Sequence, residues 1–394
     1  MRKNHLKGRE VTVLGGGIGG FAAATALARR GAHVRLLEQA PAISEVGAGL
    51  QIGPNGVRVL DALGLAEAAR ERSVSARGVR LIDGPSGRAV LYLDMARHRP
   101  QDPYLFFHRA DLLDMLVEGA VASGVTYETG VRVTQVAVRE DGAELTIDHA
   151  TKREVPFLVA ADGLHSVVRP EICGRREPFF TGQVAWRALL PGDGRAPPEA
   201  QVRMGPGRHL VTYPLRGGEV LNLVAVEERA QWAEEGWFNA DDPDNLRRAF
   251  AGFAPDTARL LEQVEEVHIW GLFRHEVAEQ WHRGAGVLLG DAAHPTLPFM
   301  AQGAVMALED AWVLADCLSK QGMVDGPALY QARRRHRVAR IVDAASKNAR
   351  NYHYANPVAR FLGHNALRVA GRLAPRAMLG RFDWIYGHNV TLGG

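Results

Sequence analysis

Three acidic residues each close a short apolar run: Glu38 in HVRLLEQ, Asp162 in FLVAADG and Asp291 in GVLLGDAAHP. A carboxylate at the end of a buried strand can accept hydrogen bonds from ligand hydroxyls or cap a following helix. Ahead of them, Gly15, Gly17 and Gly20 spell G-x-G-x-x-G between the predicted strand EVTVLGGG and the predicted helix GGFAAATALARRG. In that context the first glycine makes the tight turn. The second lets a pyrophosphate approach the backbone, and the third lets helix and strand pack closely. The helix N-terminus then offers unpaired N–H groups to the phosphates. Glu38 lies 18 residues after Gly20, where a carboxylate accepts ribose hydroxyls. The glycine turn alone does not separate NAD from FAD.

Further along, Arg109 leads the predicted helix in FHRADLLDML, where a basic residue can pair with phosphate or ribose. ADGLHSVVR sets Asp162 and Gly163 at a strand end, with Ser166 and Arg169 on the turn that follows. GDAAHPTLPFMAQGAVMALEDA runs from Asp291 past two prolines to Gly303, which opens another helix. Taken in order, G-x-G-x-x-G, A-D-G-x-x-S-x-x-R and G-D-A-A-H-P resemble the flavin-dependent aromatic hydroxylases, single-component FAD monooxygenases. The resemblance covers nearly the whole chain. It implies that Asp162 and Gly163 serve FAD and NAD(P)H binding and that Asp291 reaches the ribityl and pyrophosphate region. It also implies that Pro298, Gly303 and Ala304 lie beside the flavin. FAD would be tightly bound, with NADH or NADPH as a transient reductant. No second G-x-G-x-x-G follows a strand, in keeping with a reductant that only visits.

Within that family the resemblance is closest to enzymes that convert 3-hydroxybenzoate to gentisate through a flavin hydroperoxide. Salicylate hydroxylases, and hydroxylases of other aromatic or N-heteroaromatic acids, are the alternative. By matching motifs, His209 and Gln302 address the phenol, Tyr104 and Tyr213 hold the ring and carboxylate, and Val46 lines the pocket. The residues themselves are compatible with this: His209 and Tyr213 are four apart on a predicted strand and share a face. A phenol with a pKa near ~10 needs a base near neutral pH, and an imidazole with a reference pKa of about 6.5 can serve.

The elements that must position these residues follow from the pattern. The β-α-β opening predicts a parallel sheet, while GQVAWRALL, HLVTYPL and VLNLVAVEE alternate like antiparallel strands. The expected fold is α/β: a Rossmann-like FAD-binding domain, an inserted and mainly antiparallel substrate sheet, and a helical C-terminus. The expected boundaries are 1–178, 179–272 and 273–394, with a hairpin near 78–95 joining the substrate sheet.

Composition excludes other classes. At 394 residues, 46% hydrophobic and 23% charged, the chain is an ordinary globular protein. Its net charge of +3 is mixed, and RRRHRVAR (Arg333 to Arg340) is expected to be the solvated face of a late helix, not a nucleic-acid patch. Cys173 and Cys317 are too far apart for a metal or redox motif, which makes a reduced, cytoplasmic setting the default. No apolar run reaches membrane-spanning length, and no W-x-W-x-I-P segment suggests a halogenase. The amphipathic RFLGHNALRVAGRLAPRAMLGRF is expected to pack against the protein or a second copy, since members of the family are often homodimers.

Overall fold

The computed structural model describes residues 4–43, 48–229 and 239–392. Along the chain, β1 (Glu10–Leu14), α1 (Ile18–Ala28) and β2 (His33–Leu37) form the β-α-β opening. β3 (Gly49–Ile52) and α2 (Pro54–Ala62) follow. β4 (Gly78–Asp83) and β5 (Ala89–Asp94) make a hairpin, and β6 (Leu105–His108) runs straight into α3 (Arg109–Ala122). After β7 (Leu158–Ala160) come the long strands β8 (Phe179–Pro191), β9 (Glu199–Gly205), β10 (Arg208–Leu215), β11 (Val220–Glu228) and β12 (Val267–Arg274). β13 (Gly286–Leu288) precedes the helices α4 (Gly303–Tyr352), α5 (Pro357–Leu373) and α6 (Asp383–Tyr386). This is the expected α/β fold, with parallel and antiparallel sheets and a helical C-terminus.

The first sheet runs β13-β7-β1-β2 and then Thr126–Glu128, all parallel, with His282–Arg283 antiparallel at the β13 edge. α1 is buried nearly all round, which explains its alanine-rich, non-amphipathic sequence. Its neighbour α4 comes so close that a Cβ on Gly19 would lie 3.2 Å from Cβ of Ala307.

The large sheet has eight strands in the order Ala240–Asp241, β12, β8, β11, β10, β9, β4, β5. Only the β9–β4 pair is parallel, so the 78–94 hairpin extends the sheet from a distant part of the chain. Alternation sorts its residues. Leu210, Ala225 and Trp186 face a core with Leu246, Phe250 and Leu261 from two short helices. On the opposite face, Tyr213 packs with Tyr104 and Phe106, and Val226 and Trp270 pack with Leu297.

α4 is broken at Gly322, whose φ of +77° lies in the left-handed region. The break folds the second half back beside the first. The expectation of a solvated basic face is therefore corrected at Arg334, which is 1% exposed and bonded to Glu309 and Asp310 of the first half. Arg337 also turns inward, to Glu309. Past α4, α5 crosses β5 closely: a Cβ on Gly371 would meet Leu91 Cδ1 at 2.3 Å. Its outer side exposes Phe361, Leu362 and Leu373. Among the described residues no helix is long and apolar enough to cross a membrane.

Candidate active site

Four residues of interest, Gly15, Glu38, Asp162 and Asp291, follow β1, β2, β7 and β13, neighbouring strands of the parallel sheet. They share its carboxyl edge, where such sheets bind dinucleotides. The glycines there differ in what they permit. A Cβ on Gly15 would stand 2.3 Å from the Ala161 carbonyl oxygen, and one on Gly20 would stand 1.9 Å from that of Gly15. Both must lack a side chain for the turn to close. Around Gly17 nothing lies within 4 Å, so there a side chain would fill open space at the N-terminus of α1. That is a phosphate-sized cradle facing a positive helix end.

Glu38 is tied by its two oxygens to the amides of Gly16 and Ala40, at 2.6 and 2.7 Å. Asp162 accepts from the Val167 amide at 2.9 Å through one oxygen, while its other oxygen is buried without a hydrogen-bond partner. Desolvation raises its carboxyl above the usual range. Gly163 beside it, with φ +74°, again faces open space. Asp291 is reachable by solvent yet ringed by protein, as a group on a crevice floor is. Desolvation raises its carboxyl too, against the pull of His294, Arg109 and His275. Arg109, held through its backbone amide on the Ala48 carbonyl at 2.8 Å, thus brings its charge to Asp291. Pro298 is exposed in a short turn, Pro298–Met300, that ends at Ala301 with φ +50°. Gln302 follows, then Gly303 and Ala304 open α4. An open cradle at a helix N-terminus and an unbonded carboxylate oxygen fit the phosphates and hydroxyls of a flavin dinucleotide.

The interior face of the large sheet adjoins this edge. Leu297 and Phe299 pack on Val226 and Trp270, which brings the 297–299 loop onto the sheet. The His209 ring lies 5.9 Å from Phe299 and 5.2 Å from Tyr352, and its Nδ1 lies 2.7 Å from His353 Nε2. Burial holds this imidazole well below its ordinary pKa, hence neutral near pH 7. Further along β10, the Tyr213 phenol lies beside Gln51 and Asn222, and burial pushes it up. The Tyr104 hydroxyl donates to Gln51 Oε1 at 2.9 Å, which sets this amide between the two tyrosines. β3 reaches the sheet only because residue 49 is glycine: a Cβ there would lie 2.6 Å from Asn222 and 2.7 Å from the Tyr213 ring. The Gly49 amide donates to Asn222 Oδ1 at 2.7 Å. Val46 lies outside the described residues.

The family of FAD binding domains matches residues 9–345. A 3-hydroxybenzoate 6-hydroxylase of Polaromonas naphthalenivorans is 37% identical, with 96% of each chain covered. A 3-amino-4-hydroxybenzoate 2-monooxygenase of Streptomyces platensis is 34% identical, covering 97% of this chain and 96% of that one. The crystal structure of Klebsiella pneumoniae HpxO with FAD and uric acid superposes with a TM-score of 0.82 at 26% identity, covering 95% of this chain and 97% of that one. This chain is a flavin-dependent aromatic hydroxylase. Its cofactor is FAD and its substrate is an aromatic acid.

Several residues of the candidate site escape sequence reading. Asn222 stands opposite Tyr213 in the β10–β11 register, and a lone amide in VLNLVAV was the available signal. Arg187 lies with its guanidinium 5.1 Å from the Trp270 ring, close enough for its charge to act on Tyr213. Tyr386 arrives from α6, its ring 5.8 Å from that of Tyr104, and burial pushes its phenol up to about 12. Nothing local to Tyr386 announces that position. α6 is strapped down by Arg58, which donates to the Tyr386 carbonyl at 2.7 Å, and by Arg337, which donates to those of Trp384 and Ile385.

Gln302 accepts from Asn55 Nδ2 at 3.1 Å, and that nitrogen also donates to Glu309 Oε1 at 2.8 Å. The glutamine is thereby coupled to a sealed charge lattice under the loop. There Arg334 meets Glu309 at 2.5 Å and Asp310 at 2.7 Å, and Asp310 also holds His294 at 2.5 Å and the Gly290 amide at 3.2 Å. Despite full burial, Arg334 and Arg337 hold Glu309 down at about 2, and His294 and Arg334 keep Asp310 low.

Proposed function

We propose that this hydroxylase converts 3-hydroxybenzoate to gentisate, inserting oxygen para to the phenol, with NADH or NADPH as reductant. The observation that carries this is His209: a neutral, buried imidazole on the sheet face that also bears Tyr213, at the loop leading into α4. The chemistry that FAD would supply when bound and reduced is activation of O2 for oxygen transfer to the ring. The protein's task is to make the ring carbon electron-rich and to orient it. His209 takes the phenol proton as the ring is attacked. Tyr104 and Tyr213, fixed through Gln51, orient the ring, and Arg187 supplies positive charge for the carboxylate. Gln302 aligns the loop beside the phenol through Asn55. Glu38, Asp162 and Asp291 hold the flavin's hydroxyls, and the Gly17 cradle its phosphates. The names of the Polaromonas and Streptomyces relatives both specify hydroxylated benzoates, which supports the substrate class.

The deciding experiment gives the FAD-loaded enzyme 3-hydroxybenzoate, salicylate and 6-hydroxynicotinate separately. NADH oxidation is followed, and each product is identified by chromatography. Gentisate formed from 3-hydroxybenzoate, at the highest kcat/KM of the set, is expected. Catechol from salicylate as the efficient reaction would overturn the assignment.

A further inference from the structure

His209 does not end in the interior. Its Nδ1 is 2.7 Å from Nε2 of His353, and His353 Nδ1 is 2.8 Å from Oε1 of Glu228. Exposure changes along this line: His209 is 3% exposed and the His353 side chain 1%, but the Glu228 side chain is 51% exposed. The fold sets the alignment. Val226 is the cross-strand partner of His209, and Glu228 lies two residues on, on the same face of β11. The Gly207 amide donates to the His353 carbonyl at 3.4 Å, and its carbonyl accepts from the Glu228 amide at 2.8 Å. One turn thus holds both ends of the histidine–carboxylate pair.

Hydrogen-bond chemistry then fixes the tautomers. An ionised carboxylate only accepts, so His353 carries its proton on Nδ1. A neutral imidazole has a single N–H, so His353 Nε2 is an acceptor and His209 Nδ1 must donate to it. His209 Nε2 is left as a bare lone pair, the form a base requires. Burial favours the neutral form of both rings. The charged groups facing His353 are Glu228, which pulls its pKa up, and Arg208, which pushes it down; His353 bears on His209, with the Tyr352 ring alongside.

We propose that His353 and Glu228 form a proton exit for the substrate phenol, His353 acting as a positioning residue through His209. This rests on His209 being the acceptor of the phenol proton. The phenol O–H proton passes to His209 Nε2 as the Nδ1 proton of His209 passes to His353 Nε2. The Nδ1 proton of His353 passes to the Glu228 carboxylate and then to water. The phenol oxygen keeps the electron pair of the broken O–H bond. The reverse sequence returns a proton when the product leaves as a phenol.

The test uses the FAD-loaded enzyme with 3-hydroxybenzoate and compares His353→Gln, Glu228→Gln and His209→Ala. Coupled product formation is measured from about pH 6 to about 9.5, below the reference phenol pKa of ~10, together with flavin content and substrate Kd. His353→Gln is expected to keep both flavin and Kd. Its kcat near pH 7 should fall about 10- to 100-fold and recover as pH rises, when hydroxide from solution removes the proton instead. Glu228→Gln, altered at the surface, should show the same tilt more weakly, and carries the test by itself if His353→Gln loses its flavin. A loss of kcat that is uniform across pH, or a profile like that of the parent enzyme in both variants, overturns the relay. If His209→Ala is impaired while those two variants are normal, only the relay fails. If His209→Ala turns over normally, the role of His209 fails and the relay with it.

Discussion

Two regions on either side of the loop that leads into α4 treat their acids in opposite ways. Under the loop, Glu309 and Asp310 are sealed from water; Arg334 and Arg337 hold the Glu309 carboxyl low, and His294 and Arg334 hold that of Asp310 low. At the crevice, Asp162 and Asp291 have their carboxyls raised by desolvation that nearby hydrogen bonds and positive charges do not offset. In the first region the protein completes its own charges, which is the signature of a structural lattice. In the second the compensation is left to a ligand, as at sites built to bind and react. Scaffold and site differ here both in access to solvent and in whether the protein supplies a counter-charge for each acid.

The widest test of that contrast is Arg334→Met. It leaves two buried carboxylates short of the guanidinium they share, a loss of ~3–5 kcal/mol, read as a lower urea midpoint. The same lattice sets an acid limit. Glu309 has a folded pKa of about 2 against an ordinary value of 4.5, so its contribution is complete above the ordinary value and is lost as pH falls through the folded one. Melting temperatures of the parent enzyme should therefore drop across that window, and the drop should shrink in Glu309→Gln.

At the reaction face, His209→Ala should retain yellow flavin but lose ~10²- to 10⁴-fold in hydroxylation, with NAD(P)H oxidation diverted to hydrogen peroxide. Simultaneous assays of oxygen uptake, peroxide and product measure the split. Asp291→Ala touches the crevice alone: flavin affinity should weaken on the order of 10- to 100-fold, as for a lost charge-assisted hydrogen bond, while the urea midpoint of the apoprotein holds steady. Equal destabilisation of the apoprotein would erase the distinction between the two regions. The smallest effect belongs to Tyr213→Phe, where loss of one hydroxyl able to hydrogen-bond the substrate should raise KM by ~0.5–1.5 kcal/mol equivalent, with flavin content unchanged.

What could be read in the sequence was local. The glycine turn, the strand-end acids and the alternating strands each depend on neighbours within a few residues, and the structure sets Gly15, Glu38, Asp162 and Asp291 on one sheet edge. Arg334 could not be picked out of RRRHRVAR, because its burial comes from the chain reversal at Gly322. Gln51 and Tyr386 were equally silent: each earns its place through partners that lie 53 and hundreds of residues away, Tyr104 for the one and Arg58 for the other. Gln302 was legible by type, but its tie to Asn55 spans 247 residues.

Tyr386 gives the site an order of assembly. The wall that bears Tyr104 is made early in synthesis, and the phenol that leans on it comes from a helix translated almost 300 residues later. Arg58 and Arg337 can clasp the backbone of that helix only once it has emerged. The turns that carry Gly15, Glu38, Asp162 and Asp291 are therefore all synthesised before the helix that closes over Tyr104.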